Sequence, residues 1–128
     1  MIYLFQFQGR ETQNCHTHNY PNSWFCFDLG EKNSIIPNYY SMKHDYTGYV
    51  VRNWKFEGSN DGKSWDILKQ HDNDTSIPQQ FGASASWSLQ NINKSYRFLR
   101  LTQTGKNSFG DDYFMLSGFE VYGTFIQQ

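Results

Sequence analysis

His16 and His18 alternate along a polar stretch, so on an extended chain both imidazoles point the same way and could share one metal ion. A site of that kind needs a further ligand, and no cysteine or third histidine stands at a recognisable spacing. We therefore read the pair as polar groups on a loop rim, with no metal. Asp111 and Asp112, with Asp45 brought across from another loop, could hold a hard cation such as calcium through carboxylate oxygens. Turn carboxylates that accept from local backbone amides explain the same residues, and that is the reading we take, with no cofactor. Paired carboxylates also raise glycoside hydrolysis, which needs two of them flanking a cleft at a set separation. No nucleophile elbow, phosphate loop or Cys–His couple accompanies them, so we expect a protein without catalytic activity.

The two cysteines, Cys15 and Cys26, could close a short loop, yet a pair with no wider framework fits a reduced compartment equally well. Cys26 sits in the run Trp24-Phe25-Cys26-Phe27, and we read it as a free thiol in the core. The sequons Asn73-Asp74-Thr75 and Asn93-Lys94-Ser95 matter only in an exported protein. Neither a signal peptide nor a membrane span is legible in the short apolar start Met1 to Phe7, which reads as an entry strand; the expected location is the cytoplasm.

The elements that must position these residues are strands. The chain has 128 residues, 19% of them aromatic, which suits one domain with one core. Trp, Tyr and Phe favour pleated surfaces, and Gly, Asn and Ser interrupt them at short intervals, so the composition points to an all-β sandwich or barrel. The plainest pattern is Arg52 to Leu68. Trp54 and Phe56 fall on one face, Asn53, Lys55 and Glu57 on the other, and Asp61-Gly62 makes a hairpin turn before the return arm from Trp65, with the Ser59 and Ser64 hydroxyls bonding locally.

Further strands are expected at Ser23 to Gly30, covered on both faces; Ile35 to Met42, with Pro37 at an edge or bulge; Ser86 to Leu89; Tyr96 to Thr102; and Met115 to Tyr122. Ile77 to Ala85 and Gly105 to Tyr113 read as loops. Apolar residues on both faces of Tyr96 to Thr102 imply a part-buried arginine, Arg100, with Glu120 or Asp28 as its partner. Trp24, Trp54, Trp65 and Trp87 all sit in strand patterns and are assigned to the core. That leaves Tyr20, Tyr46, Tyr49, Tyr113 and Phe114 as the loop aromatics able to touch a ligand. A net charge of −1 with scattered basic residues excludes the footprint of a nucleic-acid binder, and a membrane surface is not the expected partner.

Taken together, Pro21 to Gly30, Arg52 to Trp65, His71 to Thr75, Tyr96 to Gly105 and Leu116 to Gly123 resemble the coagulation factor five/eight type C, or discoidin, domain. More narrowly, they are similar to the intracellular branch appended to HECT-type ubiquitin ligases and BTB or kelch proteins. The resemblance covers Gly9 to Gly123 of a single domain spanning 1–128, with a shortened entry strand at 1–8. It implies a galactose-binding-like jelly roll of about eight antiparallel strands, serving as a recognition module within a larger protein. By position, its ligand loops are His16 to Asn22, Lys43 to Tyr49 and Lys106 to Tyr113. In that scheme Tyr20, Tyr46, Tyr49 and Tyr113 offer apolar area. His16, His18, Asn19, His44, Asp45, Lys106, Asn107, Asp111 and Asp112 offer hydrogen bonds, over a framework of Trp54, Asp28, Arg100 and Glu120. The expected ligand is a protein segment; the alternative is a lectin-like module for a glycan, or one for a membrane surface, with a cation assisting.

Overall fold

The computed structural model of the chain describes residues 2–8, 15–17 and 19–128, the side chains of 2–8, 15 and 16 excepted. Its described residues form strands and turns, with no helix. One antiparallel sheet runs in the order β1 (Ile2–Gln8), β10 (Gly118–Gln127), β4 (Asn33–His44), β7 (Ala83–Ser88). The other runs β3 (Trp24–Asp28), β8 (Phe98–Gln103), β5 (Trp54–Ser59), β6 (Asp66–His71). A short clip, β2 (Cys15–His16) on β9 (Met115–Leu116), joins them at one end. The eight long strands make the jelly-roll sandwich that the alternating patterns imply.

Period-two alternation builds the core. Tyr40 and Met42 of β4, Trp54 and Phe56 of β5, Leu99 and Leu101 of β8, and Phe119 and Val121 of β10 all turn inward and are buried. Phe27 stacks on Phe119 at 4.6 Å between centroids, and Tyr40 meets Phe56 at 4.5 Å and Trp87 at 5.0 Å. β7 pairs with β4 only from Tyr39 onward, so Pro37 has β10 alone as a strand partner. It occupies a bulge: Tyr122 pairs with Tyr39 and Gly123 with Pro37, leaving Asn38 as the extra residue. The bulge brings backbones so close that a Cβ on Gly123 would lie 2.0 Å from the Ile36 carbonyl oxygen. At the Asp61-Gly62 turn, Ser59 Oγ accepts from the Gly62 amide and donates to Asp61 Oδ1, as the local reading expects.

Several expectations need correction. In a two-layer sandwich only the inner face of β3 meets the other sheet, so its outer face is open; Trp24 is 55% exposed and Cys26 is exposed, while Phe25 and Phe27 turn inward. Cys26 is therefore not a core thiol. The stretch read as a loop through Ala85 becomes strand from Ala83, because β7 pairs with β4 as far as His44. Arg100 pairs with neither Glu120 nor Asp28. Register sets it opposite Glu57, and its Nε and Nη2 donate to the two carboxylate oxygens at 3.0 and 3.1 Å beneath the Trp65 ring. Asp28 instead accepts from Arg97, and Glu120 accepts from the Tyr122 hydroxyl.

Glu57, on the strand face opposite Trp54 and Phe56, is 2% exposed. Burial alone would push its pKa up, but Arg100, the Thr102 hydroxyl at 2.7 Å and Lys55 outweigh burial and hold it below the usual glutamate value.

Candidate functional site

Strand register gathers one set of loops at one end. His44 pairs with Ala83, Lys43 with Gly118, Trp54 with both His71 and Gln103, and Trp24 with Thr102. Loops 19–23, 45–53, 72–82 and 104–114 therefore share that end. Side chains and backbone brace them against one another. The Val50 amide donates to Ser108 Oγ and the Ser108 amide to the Val50 carbonyl, both at 2.9 Å. The Asp112 amide donates to Asn19 Oδ1 at 2.7 Å, and Phe114 exchanges bonds with Thr17. Asn53 ties two more loops, donating to the Lys106 carbonyl and accepting from the Asn73 amide.

Beneath the loops lies a buried polar chain. Trp54 Nε1 donates to Tyr40 Oη at 3.0 Å, which leaves the Tyr40 proton for His71 Nε2; His71 Nδ1 then donates to Asp74 Oδ2 at 2.8 Å. An ionised carboxylate only accepts, so the proton of the neutral ring sits on Nδ1. Burial pushes the His71 pKa below its ordinary value against the pull of Asp74, and it pushes the Tyr40 hydroxyl up. The ring lies flat on Trp54, centroids 4.0 Å apart, making this a floor rather than a reactive centre.

Above the floor the rings form a cluster. Tyr49, with φ +57°, is its hub, 4.7 Å from Phe109, 5.8 Å from Tyr113 and 6.1 Å from Tyr46 between centroids. Phe109 packs over Gly48, where a Cβ would come within 2.3 Å of the ring, so any larger residue there would push the ring aside. Tyr20, Tyr46 and Phe109 are largely exposed, and so is Trp24 at the start of β3.

The residues expected to contact a ligand fall into two groups. Tyr20 and Tyr46 are at the surface, and Tyr49 and Tyr113 are partly exposed. The directional polar groups are mostly committed within the protein. His44 is buried, its Nε2 bonded to the Gly48 carbonyl at 2.7 Å; burial lowers its pKa, so it is a neutral brace and not a ligand group. Asn107 is buried as well. Its Oδ1 accepts from the Phe109 and Asp111 amides and its Nδ2 donates to the Tyr113 carbonyl, so it shapes the loop from within.

Asn19 holds the Asp112 amide, Asp112 takes Lys106 at 2.6 Å, and Asp45 lies 3.6 Å from Lys43. Phe114 is buried against Phe25 and is no contact residue. The His16 side chain and all of His18 lie outside the described residues. Sequence reasoning missed Phe109 and Trp24; Phe109, between Ser108 and Gly110, was a loop aromatic open to detection, whereas the exposure of Trp24 depends on which face of β3 the other sheet covers.

A two-sheet sandwich, with no helix among its described residues, is the jelly-roll architecture. The chain belongs to the F5/8 type C domain family, whose model matches residues 4–114. It is 37% identical over 119 residues to the E3 ubiquitin-protein ligase Ufd4 of Drosophila melanogaster, which covers 88% of this chain and 4% of that protein. A BTB/POZ domain-containing protein of Arabidopsis thaliana is 36% identical over 108 residues, 81% of this chain and 13% of that protein. The chain thus spans a small part of the length of these relatives. Among solved structures, the module CBM32-1 from a family 31 glycoside hydrolase of Clostridium perfringens superposes with TM-score 0.65 at 12% identity, covering 94% of this chain and 93% of that one. The family 32 module of C. perfringens NanJ, in complex with galactose, gives TM-score 0.66 at 8% identity over 94% and 93%.

Proposed function

We propose that this domain is a non-catalytic recognition module that holds a segment of another protein against the aromatic loop end, without metal or cofactor. One observation carries the reading: Tyr20, Tyr46 and Phe109 present apolar area to solvent, while His44, Asn107, Asn19, Lys106 and Asp112 are spent on bracing. Peptide anchoring needs apolar area in a pre-organised frame, whereas a sugar needs several convergent free hydrogen-bonding groups. The length of the relatives supports a place as one module of a larger protein, such as a ubiquitin ligase, where it would select or position a partner. An exposed free thiol, Cys26, suits the reducing cytoplasm, where we place it.

The test presents the 128-residue chain to a displayed library of random dodecamer peptides and, in parallel, to a glycan array. We expect selected peptides to bind the wild type, and Tyr46→Ala with Phe109→Ala to weaken them by about two orders of magnitude, as paired aromatic anchors do, with the melting temperature preserved. Peptide binding that survives both substitutions would reject this site. Carbohydrate recognition is the second reading, favoured by structural neighbours crystallised with galactose and with GalNAc-β-1,3-galactose; glycan hits with no peptide hits would establish it.

A further inference from the structure

Charge around the aromatic end is uneven. Loops 45–53, 72–82 and 104–114, with Lys43, hold the five carboxylates of Asp45, Asp72, Asp74, Asp111 and Asp112 against three permanent cations, Lys43, Arg52 and Lys106. Each cation is engaged: Lys43 with Asp45, Lys106 with Asp112, and Arg52 through a 2.6 Å bond from Nη1 to the Ile77 carbonyl, within the field of Asp74. Asp72 accepts from Gln70, and Asp74 from His71 and the Ser76 amide.

Asp111 stands apart. Its amide donates to Asn107 Oδ1 and its carbonyl accepts from the Asn107 amide, which fixes its position. Yet Oδ1 is buried without a hydrogen-bond partner, and no cation pairs with the carboxylate among the described residues. A carboxylate oxygen withdrawn from water and unpaired is destabilised until a cation or donor reaches the group. Two residues before it stands Phe109, whose exposed ring, like that of Tyr46, offers the negative face of an aromatic quadrupole. Both features favour the same ligand, a cation on a flexible stem. A neutral ligand would satisfy the rings and leave the carboxylate unpaired.

Building on the peptide-binding reading, we propose that the loop end takes a protein segment presenting an arginine or lysine side chain, its cation against the Tyr46 and Phe109 rings with Asp111 as counter-charge. The test follows the ring-proton resonances of Tyr46 and Phe109 in the 128-residue chain during titration with acetyl-Gly-Arg-Gly-amide and its lysine and citrulline analogues. Citrulline keeps the shape of arginine and removes the charge. The arginine and lysine peptides should bind with Kd in the millimolar range, and the citrulline peptide about fivefold more weakly, as the loss of a surface cation–π contact predicts. Added salt should narrow that gap. Asp111→Asn should weaken the arginine peptide and leave the citrulline peptide unchanged.

Equal binding of the arginine and citrulline peptides, lost together in the Tyr46→Ala, Phe109→Ala variant, overturns the cation preference while leaving peptide recognition standing. Absence of any shift with the arginine and lysine peptides also overturns it. Shifts with methyl β-galactoside and none with any peptide overturn both readings. The citrulline comparison uses the wild-type chain, so it decides the matter even if Asp111→Asn does not fold.

Discussion

The two ends of the sandwich are built on the same strands and differ in what their turns carry. At the loop end, Tyr20, Tyr46, Phe81 and Phe109 are exposed; at the far end, loops 29–32, 60–65 and 89–97 contribute none of the exposed large hydrophobic side chains. The far turns bond only to themselves and their neighbours. Asp61 Oδ1 accepts from the Lys63 and Ser64 amides at 2.8 Å, and Asn60 links the Ser95 carbonyl to the Arg97 amide. Both ends are well braced, so bracing alone does not mark a site. What distinguishes the loop end is apolar area left uncovered after the polar groups have been satisfied.

The comparison assumes one rigid scaffold under both ends, and Trp54 tests that assumption most severely. It is fully buried, lies flat on His71, meets Trp87 at 5.2 Å and donates to Tyr40. Trp54→Ala removes that packing and leaves Tyr40 Oη short of a donor, a loss of about 3–5 kcal/mol by the usual cost of emptying such a site. Urea denaturation should show the loss as one cooperative transition. Two separated transitions would mean that the ends fold independently and that the scaffold argument is wrong.

Mild acid should separate the ends by a smaller amount. His44 and His71 both lie under the loop end, and burial holds each below the ordinary value of 6.5 in the fold. The unfolded chain therefore takes up protons first. Stability is full above about pH 6.5 and falls as pH drops towards the folded pKa values. Asp74, Asp72, Lys69 and Tyr40 surround His71, and Asp45 and Arg52 surround His44; of these, Asp74, Asp72 and Asp45 resist the depression. At the far end Asp61, held down to about 2 by the amides it caps, stays ionised through the same window. Hydrogen exchange, corrected for its intrinsic pH dependence, should speed up in loops 45–53 and 72–82 between pH 7 and 5.5 and hold steady in 60–65. Equal acceleration at both ends would break the comparison.

Local patterns explain how much of this was readable in advance. The alternation of Trp54 and Phe56, the Asp61-Gly62 turn and the alternation along β8 are encoded within a few residues, and each appears where the sequence places it. The failures are all non-local. Trp24 and Cys26 sit in a run as apolar as a strand covered on both faces, and only the two-layer packing leaves their face open to solvent. The partner of Arg100 is 43 positions away, chosen by the β5–β8 register. His44 and Asn107 carry the polar signature of contact residues, and the folding of their loops back over them turns them into braces. Residue type could nominate the loop end; only geometry could separate its exposed rings from its occupied polar groups.

The smallest expected effect is also the sharpest control. Lys63 lies at the tip of the far turn, where Asp61 holds its backbone amide and its side chain is exposed. Lys63→Ala keeps that amide and the Ser59 and Ser64 bonds that close the turn, so the denaturation midpoint should move by less than about 0.5 kcal/mol, as for other surface substitutions clear of packing. Affinity for a library-selected peptide should not change, because the ligand meets the domain at the opposite pole. A loss of binding in Lys63→Ala beyond about threefold, with stability unchanged, would carry the contact surface to the far end. Exposed aromatic area would then no longer locate the site.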